Sequence, residues 1–249
     1  MPDFSVVMPA FNEAENLRTT LPPLISALNK ANICHEILVI NDNSNDNTIT
    51  VLDEMCKMYP SIRYIHNSPP NGFGLAVRCG LAHFKGEAVA IVMADGSDAP
   101  EDVVAFYQKL SEGYDCIFGS RFMPGGKVID YPLHKKILNR LANNFIRILF
   151  QIRYNDTTNA FKCYKKHVIT GLHPFLSHHF NLTVELPLKA IIRGYNYCVL
   201  PNSWTNRKTG VSKLKIREMG SRYLFIVLYC LIERLFSRGD YKASNNLQT

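Results

Sequence analysis

The sequence has no apolar run long enough to cross a bilayer. The longest, Tyr223 to Ile232, is ten residues and is closed by Glu233 and Arg234, whereas a spanning helix needs about 20. No basic stretch followed by an apolar one stands near residue 1, so no signal peptide is expected. The seven cysteines include no Cys-x-x-Cys pair. An odd total spaced about 20 to 50 residues apart fits neither a disulfide framework nor a zinc site, and predicts reduced, mostly buried thiols in a cytosolic compartment. The eight histidines show no ligand spacing and read as structural or surface residues. Internal repeats and low-complexity segments are missing as well, and the 47% hydrophobic, 20% charged composition is that of a globular chain rather than a disordered or collagenous one. A chain of 249 residues can bury roughly 70–75% of its unfolded surface, enough for one large α/β domain or two small ones.

What the sequence does have is a sharp division of charge. Residues 1–120 carry 7 Lys and Arg against 15 Asp and Glu, a balance of −8, while residues 121–249 carry 21 against 6, a balance of +15. Such asymmetry points to an anionic partner for the second half: nucleic acid, a membrane surface or a phosphorylated substrate. A solvated basic face is the plain alternative. A nucleic-acid role lacks both a recognition motif and an aromatic-interleaved basic strip, so no nucleic-acid partner is expected.

The first 120 residues alternate strand-like and helix-like segments. Phe4–Pro9, Glu36–Asn41, Ile62–His66, Ala88–Ala94 and Asp115–Gly119 are short, β-rich and bounded by turn residues. Between them Glu13–Ala31, Asp46–Met58, Gly72–Phe84 and Glu101–Ser111 show apolar spacings of three and four. This alternation predicts an α/β fold with a mainly parallel sheet covered by helices on both faces. Ligands of such sheets bind at the carboxyl ends of the strands, and here the strands run into Pro9-Ala10-Phe11-Asn12-Glu13, Asn41-Asp42-Asn43-Ser44-Asn45-Asp46 and Ala94-Asp95-Gly96-Ser97-Asp98. A lone strand-end carboxylate is often a helix cap, the reading favoured for Asp46. Three acidic strand ends on one edge suit ribose hydroxyls and a divalent cation.

In order and spacing, these segments resemble family 2 glycosyltransferases of the GT-A nucleotide-diphospho-sugar transferase fold, through PAFNE (9–13), NDNSNDNT (41–48) and NGFGLAVRCG (71–80). Gly119-Ser120-Arg121-Phe122, Gly125-Gly126, KKILNRLAN (135–143), Asp156-Thr157-Thr158 with Phe161-Lys162, and Asn206-Arg207 with Gly210 and Ser212-Lys213-Leu214 resemble the polyprenyl-phosphate branch, whose best-known member is dolichyl-phosphate mannosyltransferase. The likeness covers residues 4–215, which predicts a GT-A domain over 1–215 and a C-terminal amphipathic helix with a polar tail over 216–249.

The resemblance implies roles residue by residue. Pro9, Ala10, Glu13 and Asp42 would contact the donor base and ribose. Arg207 would reach the donor diphosphate, with Lys213 on the same loop, and Arg121, Lys135 and Asn139 would serve the acceptor phosphate. Asp95, Arg121 and Arg207 are the expected catalytic set. The family's metal motif is Asp-x-Asp with a downstream Gln. Here Met93 stands where the first carboxylate would be and Ser97 where the Gln would be, which leaves Asp95 and, in part, Asp98 as ligands. Asp98 reads equally well as the cap of the helix beginning near Pro100. Magnesium and manganese want hard oxygen ligands and a thioether supplies none, so Mg2+ or Mn2+ is expected at a weakened site.

A lipid monophosphate is already an anionic nucleophile, so no catalytic base is assigned. The enzyme must hold two anions together and stabilise the departing diphosphate. The expected reaction is inverting transfer of a hexose from a nucleotide-diphosphate sugar, of the GDP-mannose or UDP-glucose type, to a polyprenyl or dolichyl phosphate. Two alternatives stay open. One is a GT-A enzyme acting on another glycan or lipid acceptor, with Asp98 or Glu185 as base; the other is a non-catalytic nucleotide-sugar-binding subunit. The stretch Leu133 to Ile152 places Ile137, Leu138, Leu141, Phe145, Ile148, Leu149 and Ile152 at helical spacing, flanked by Lys135, Lys136, Arg140 and Arg147. A basic amphipathic helix of this kind lies in membrane interfaces; a core-facing helix with a solvated rim is the competing reading. Ile216–Phe236 is a second candidate. The chain is accordingly expected on the cytoplasmic face of a membrane, attached peripherally or through a membrane-anchoring partner subunit.

Overall fold

The computed structural model describes residues 1–206 and 216–242. In chain order these form β1 (Phe4–Ala10), α1 (Ala14–Lys30), β2 (His35–Asn41), α2 (Thr48–Met58), β3 (Ile62–His66), α3 (Phe73–His83), β4 (Ala88–Ile91), α4 (Pro100–Ser111), β5 (Cys116–Ser120) and β6 (Lys127–Ile129). There follow α5 (Leu133–Phe150), β7 (Lys162–Lys165), α6 (Lys166–Gly171), α7 (Leu182–Ile192), β8 (Tyr197–Pro201), β9 (Ser203–Thr205) and α8 (Ile216–Phe236).

Seven strands form one sheet in the order β3-β2-β1-β4-β7-β5-β8. β7 runs antiparallel to β4 and β5, and the other pairings are parallel. Strand alternation sends Val6, Met8, Ile37 and Val39 to one face, against Leu17, Leu24, Leu52 and Phe106 of α1, α2 and α4. Val7, Leu38 and Ile40 point to the other face, against Val77 of α3, Val168 of α6 and Leu186 of α7. Cover on both faces explains why every residue of β1 is buried. α1 stays helical through Pro22 and Pro23 because Leu17, Leu21, Leu24 and Leu28 form a buried stripe on the sheet, whose burial outweighs the ladder bonds the prolines remove.

Three expectations change. β4 ends at Ile91 rather than Ala94, since beyond Val92 the chain leaves the ladder and the Met93 amide bonds the Asp98 carboxylate instead. β7 is an antiparallel insertion with no counterpart among the expected strands. The cysteines are free thiols, but only Cys116, Cys163 and Cys230 are buried, and Cys34 is exposed.

A third apolar cluster joins Ile146 and Phe150 of α5, Val184 and Leu188 of α7, and Ile226, Val227 and Cys230 of α8. It turns one side of α5 and α8 inward and leaves the other outward. On α5, Ile137, Leu138, Leu141, Phe145 and Ile148 are 48–73% exposed, so the core-facing reading of this stripe is overturned; only Leu149 and Ile152, at its far end, pack inward. On α8, Leu224, Phe225, Leu228, Ile232, Leu235 and Phe236 are 45–74% exposed. No helix among the described residues is long and apolar enough to cross a membrane.

Candidate active site

The polar strand ends meet along the carboxyl edge of the sheet. Pro9 and Ala10 finish β1, and the Ala10 carbonyl accepts from the Asp42 amide at 2.8 Å. Asn12 and Asn43 adopt left-handed backbone (φ 56° and 59°), which asparagine tolerates better than most residues. The two loops latch together, with the Asn12 amide donating to Ser44 Oγ and the Asn45 amide to Asn12 Oδ1, both at 2.9 Å. The cap of α2 is Asn47, with no side-chain capping bond; Asp46, one residue before it, accepts from the Thr48 amide at 3.0 Å, and its second oxygen reaches the Ala14 amide at 3.4 Å. Glu13 is buried, its Oε2 accepting from Asn16. Asp42 is buried too, accepting from Asn67 Nδ2 at 2.8 Å and the Gly72 amide at 2.9 Å. Its carboxylate therefore fixes the entry to α3. The glycines of that entry serve close packing: a Cβ on Gly72 or Gly74 would lie 2.6 Å from the backbone of His178.

Beyond β4, Asp95 turns back on its own loop, its Oδ1 accepting from the Ser97 amide at 3.1 Å. The Ser97 hydroxyl is buried and has no hydrogen-bond partner among the described residues. Asp98 is 6% exposed and accepts from the Met93 amide at 3.0 Å. Burial pushes its carboxyl up to about 7, against the pull of that hydrogen bond. The cap of α4 is Ala99, with no side-chain capping bond, so Asp98 does not cap the helix. Among the described residues no three His, Cys, Asp or Glu side chains cluster as a metal cage. The hard oxygens of Asp95, Ser97 and Asp98 gather in one short turn, and this fits a cation that arrives with phosphate oxygens, the common mode for Mg2+.

Arg121, at the end of β5, is 8% exposed and gripped by Asp156. Its Nε and Nη2 each donate to the carboxylate at 2.8 Å, and its amide donates at 2.9 Å. Burial alone would lower the guanidinium pKa, but the Asp156 charge more than offsets it and the net shift is upward. Phe122 and Tyr131 lie against the guanidinium, with ring centroids 5.5 and 5.9 Å away, and the Tyr131 ring is 5.0 Å from that of Trp204. Trp204 in turn bridges to Asp98 through the backbone, and the Thr205 amide donates to the Ser97 carbonyl at 3.0 Å. The Asp95–Asp98 turn and Arg121 thus flank one aromatic wall.

Asn139 and the partly buried Lys135 lie on α5, and Asn139 Nδ2 donates to Thr158 Oγ1 at 2.7 Å. Arg207 and Lys213 lie outside the described residues. Glu185 is fully buried, paired with Lys189 at 2.6 Å and accepting from the Leu176 and Ser177 amides; it is not a base for any acceptor. The sequence reading gave no role to Asn143 or to the buried Lys162. Lys162 bonds the carbonyls of Thr157 and Asn159, and burial pulls its ammonium down to about 7. A polar pair at i and i+4 on the face of α5 opposite its apolar stripe, Asn139 and Asn143, was the available signal.

A model of glycosyl transferase family 2 matches residues 5–176. The chain belongs to this family. As a family 2 glycosyltransferase it is 31% identical over 222 residues to polyprenol monophosphomannose synthase of Mycolicibacterium smegmatis, covering 86% of this chain and 82% of that protein. Dolichol-phosphate mannosyltransferase of Pyrococcus furiosus is 31% identical over 216 residues, 85% of this chain and 59% of the relative's length. Glucosyl-3-phosphoglycerate synthase from Mycobacterium tuberculosis, solved with Mn2+, UDP and glucosyl-3-phosphoglycerate, superposes with a TM-score of 0.68 at 17% identity, over 94% of this chain and 80% of that one. The glycosyltransferase therefore has the expected GT-A fold; the same M. tuberculosis enzyme is also solved with Mg2+ and UDP.

Proposed function

We propose that this glycosyltransferase moves a hexose from a nucleotide-diphosphate sugar, of the GDP-mannose or UDP-glucose type, to a polyprenyl phosphate at a membrane surface. The observation that carries the reading is the placement of Arg121. It is a buried arginine on the carboxyl edge of the sheet, tied through Asp156 and its turn to a helix whose outer face is apolar and exposed. The two curated relatives, named for polyprenol and dolichol phosphate mannose synthesis, support the acceptor class.

On this reading Pro9, Ala10, Glu13 and Asp42 form the base and ribose side of the donor site, and Arg207 and Lys213 meet the diphosphate. Asp156 takes Nε and Nη2 of Arg121, so the acceptor phosphate meets the Nη1 edge, with Lys135 and Asn139 beside it. Arginine suits this because its charge persists when buried and its planar head holds direction. The acceptor oxygen attacks the anomeric carbon, the bond to the donor diphosphate breaks, and configuration inverts. No proton has to be removed from a phosphate that is already an anion. Mg2+ or Mn2+ held by Asp95, with Asp98 and Ser97 in the same turn, would neutralise charge on the departing diphosphate. Met93 contributes only its amide, to Asp98.

The outward apolar faces of α5 and α8 rest on the lipid surface that holds the acceptor. Lys135, Lys136, Arg140 and Arg147 supply the basic residues of α5 that favour an anionic headgroup layer. A membrane-anchoring subunit is the rival occupant. The test compares polyprenyl phosphate with the corresponding polyprenol as acceptor. Transfer to the phosphate alone supports an anionic nucleophile; equal transfer to the alcohol overturns the baseless mechanism.

A further inference from the structure

One side of α5 carries the exposed apolar stripe, and the opposite side grips a single turn of the active site. Asn143 is 1% exposed. Its Oδ1 accepts from Thr157 Oγ1 at 2.7 Å and from the Thr158 amide at 3.2 Å. Its Nδ2 lies 2.9 Å from Thr158 Oγ1 and from Asn139 Oδ1. One turn earlier, Arg140 donates to the Asn155 carbonyl at 3.0 Å while its guanidinium covers the Phe122 ring at 4.6 Å. The gripped segment begins with Asn155, which accepts from Ser120 Oγ at 2.6 Å, and continues with Asp156, which holds Arg121. Lys162 closes it from beneath through the carbonyls of Thr157 and Asn159.

We infer that Asn143 is a positioning residue for the acceptor phosphate: it locks the 155–158 turn onto α5, so that seating α5 on a lipid surface fixes the guanidinium of Arg121. The inference rests on the acceptor and membrane reading above and adds to it a mechanical link.

The argument is one of geometry and cost. A buried asparagine can use two donors and two acceptor sites, and every one used here goes to the turn or to Asn139 on the same helix. Replacing one partner leaves the others buried and unpaired, which is where such networks lose most. Among the described residues no hydrogen bond to Asp156 comes from α5 itself; there the helix reaches it through Asn155, Thr157 and Thr158. A shift of α5 is therefore delivered by this turn to the carboxylate that holds Arg121, beside the ring contact that Arg140 and Arg121 share on Phe122. Without a lipid surface, the apolar stripe has no cover and nothing outside the protein restrains the helix.

Three variants separate positioning from simple folding. Thr157→Val keeps volume and removes the hydroxyl that bonds Asn143, whereas Thr157→Ser keeps the hydroxyl. Asn143→Ala removes the whole link. The first readout needs no turnover: hydrogen–deuterium exchange of the full chain with and without vesicles of anionic phospholipid. In the wild type, vesicles are expected to slow exchange in α5 and also in residues 155–160. In Thr157→Val the slowing in α5 remains and that in 155–160 is lost, and Thr157→Ser restores it. Slowing confined to α5 in the wild type overturns the link while leaving the membrane reading intact. Failure of the wild type to bind vesicles at all overturns both. The second readout is kinetic. Asn143→Ala and Thr157→Val are expected to raise the KM for polyprenyl phosphate by about tenfold with the donor KM within about twofold. A parallel fall in every parameter, tracking a lower Tm, would assign Asn143 a structural role only.

Discussion

Asp156 holds Arg121 by three hydrogen bonds, from Nε and Nη2 at 2.8 Å and from the backbone amide at 2.9 Å. The carboxylate is fully buried and the guanidinium nearly so. One carboxylate thus sets the rotamer of the side chain and the path of the chain leaving β5. A preset cation is what a site needs if it must hold two anions against their repulsion at no cost of reorganisation.

Breaking that pair from one side leaves a charge buried without compensation. Asp156→Asn is expected to destabilise the fold by about 3–5 kcal/mol, seen as a lower midpoint in denaturant. A change below about 1 kcal/mol would mean that Arg121 finds water or another partner, and that the grip is not what orders it.

Keeping the charge while losing the fork separates recognition from attraction. Arg121→Lys is expected to raise the KM for the acceptor phosphate by about tenfold or more, with donor KM little altered, because lysine is a point charge and cannot pair with Asp156 in two directions. Steady-state kinetics in both substrates decides this. Equal damage to donor and acceptor would remove Arg121 from the acceptor side.

The apolar stripe of α5 gives a prediction that leaves the site untouched. Phe145 and Ile148 are 51% and 73% exposed, so replacing both with Glu should change folding stability by no more than about 1 kcal/mol. Partitioning onto sedimented anionic vesicles should fall several-fold. Undiminished partitioning would assign the surface to a protein partner or to no partner.

Lys162 makes stability depend on pH in a direction that can be worked out. Burial lowers its pKa from 10.5 in the free side chain to about 7 in the fold. Between those values the unfolded chain binds a proton that the folded chain does not, so stability from this group rises with pH from about 7 to 10.5, is lost as pH falls from 10.5 to about 7, and levels off below that. Lys162→Met lacks that dependence. The stability of the wild type relative to the variant should therefore increase from pH 7 to pH 9.5 in chemical denaturation. A constant difference would show that the ammonium keeps its charge when buried.

Much of this was legible in the sequence, and the gaps have physical causes. β2, β3 and the first four helices fall within a few residues of their expected bounds, because alternation and three-four spacing report directly which side chains meet the core. β4 was read three residues too long: Val92 and Ala94 are buried like strand residues, but the local turn from Met93 to Asp98 takes the hydrogen bonds. β7 escaped notice since Lys162 stands in it, and a buried lysine disguises an apolar strand. Asp98 resembled a cap because a carboxylate two residues before a helix-starting proline has that pattern; only the structure shows the side chain turned back to Met93. For α5 the stripe was plain, yet periodicity alone cannot say whether a stripe faces the core or a bilayer. The pairing of Arg121 with Asp156 spans 35 residues, and no local pattern carries it.

The most direct test of the whole account is transfer of label from a panel of nucleotide sugars into polyprenyl phosphate, with the wild type and with Asp95→Ala, in the presence of Mg2+ or Mn2+ and again with chelator. The account predicts an organic-soluble, mild-acid-labile product from one donor, lost with the chelator and with the variant. Donor binding without any lipid-linked product, or product formation indifferent to Asp95, would contradict it.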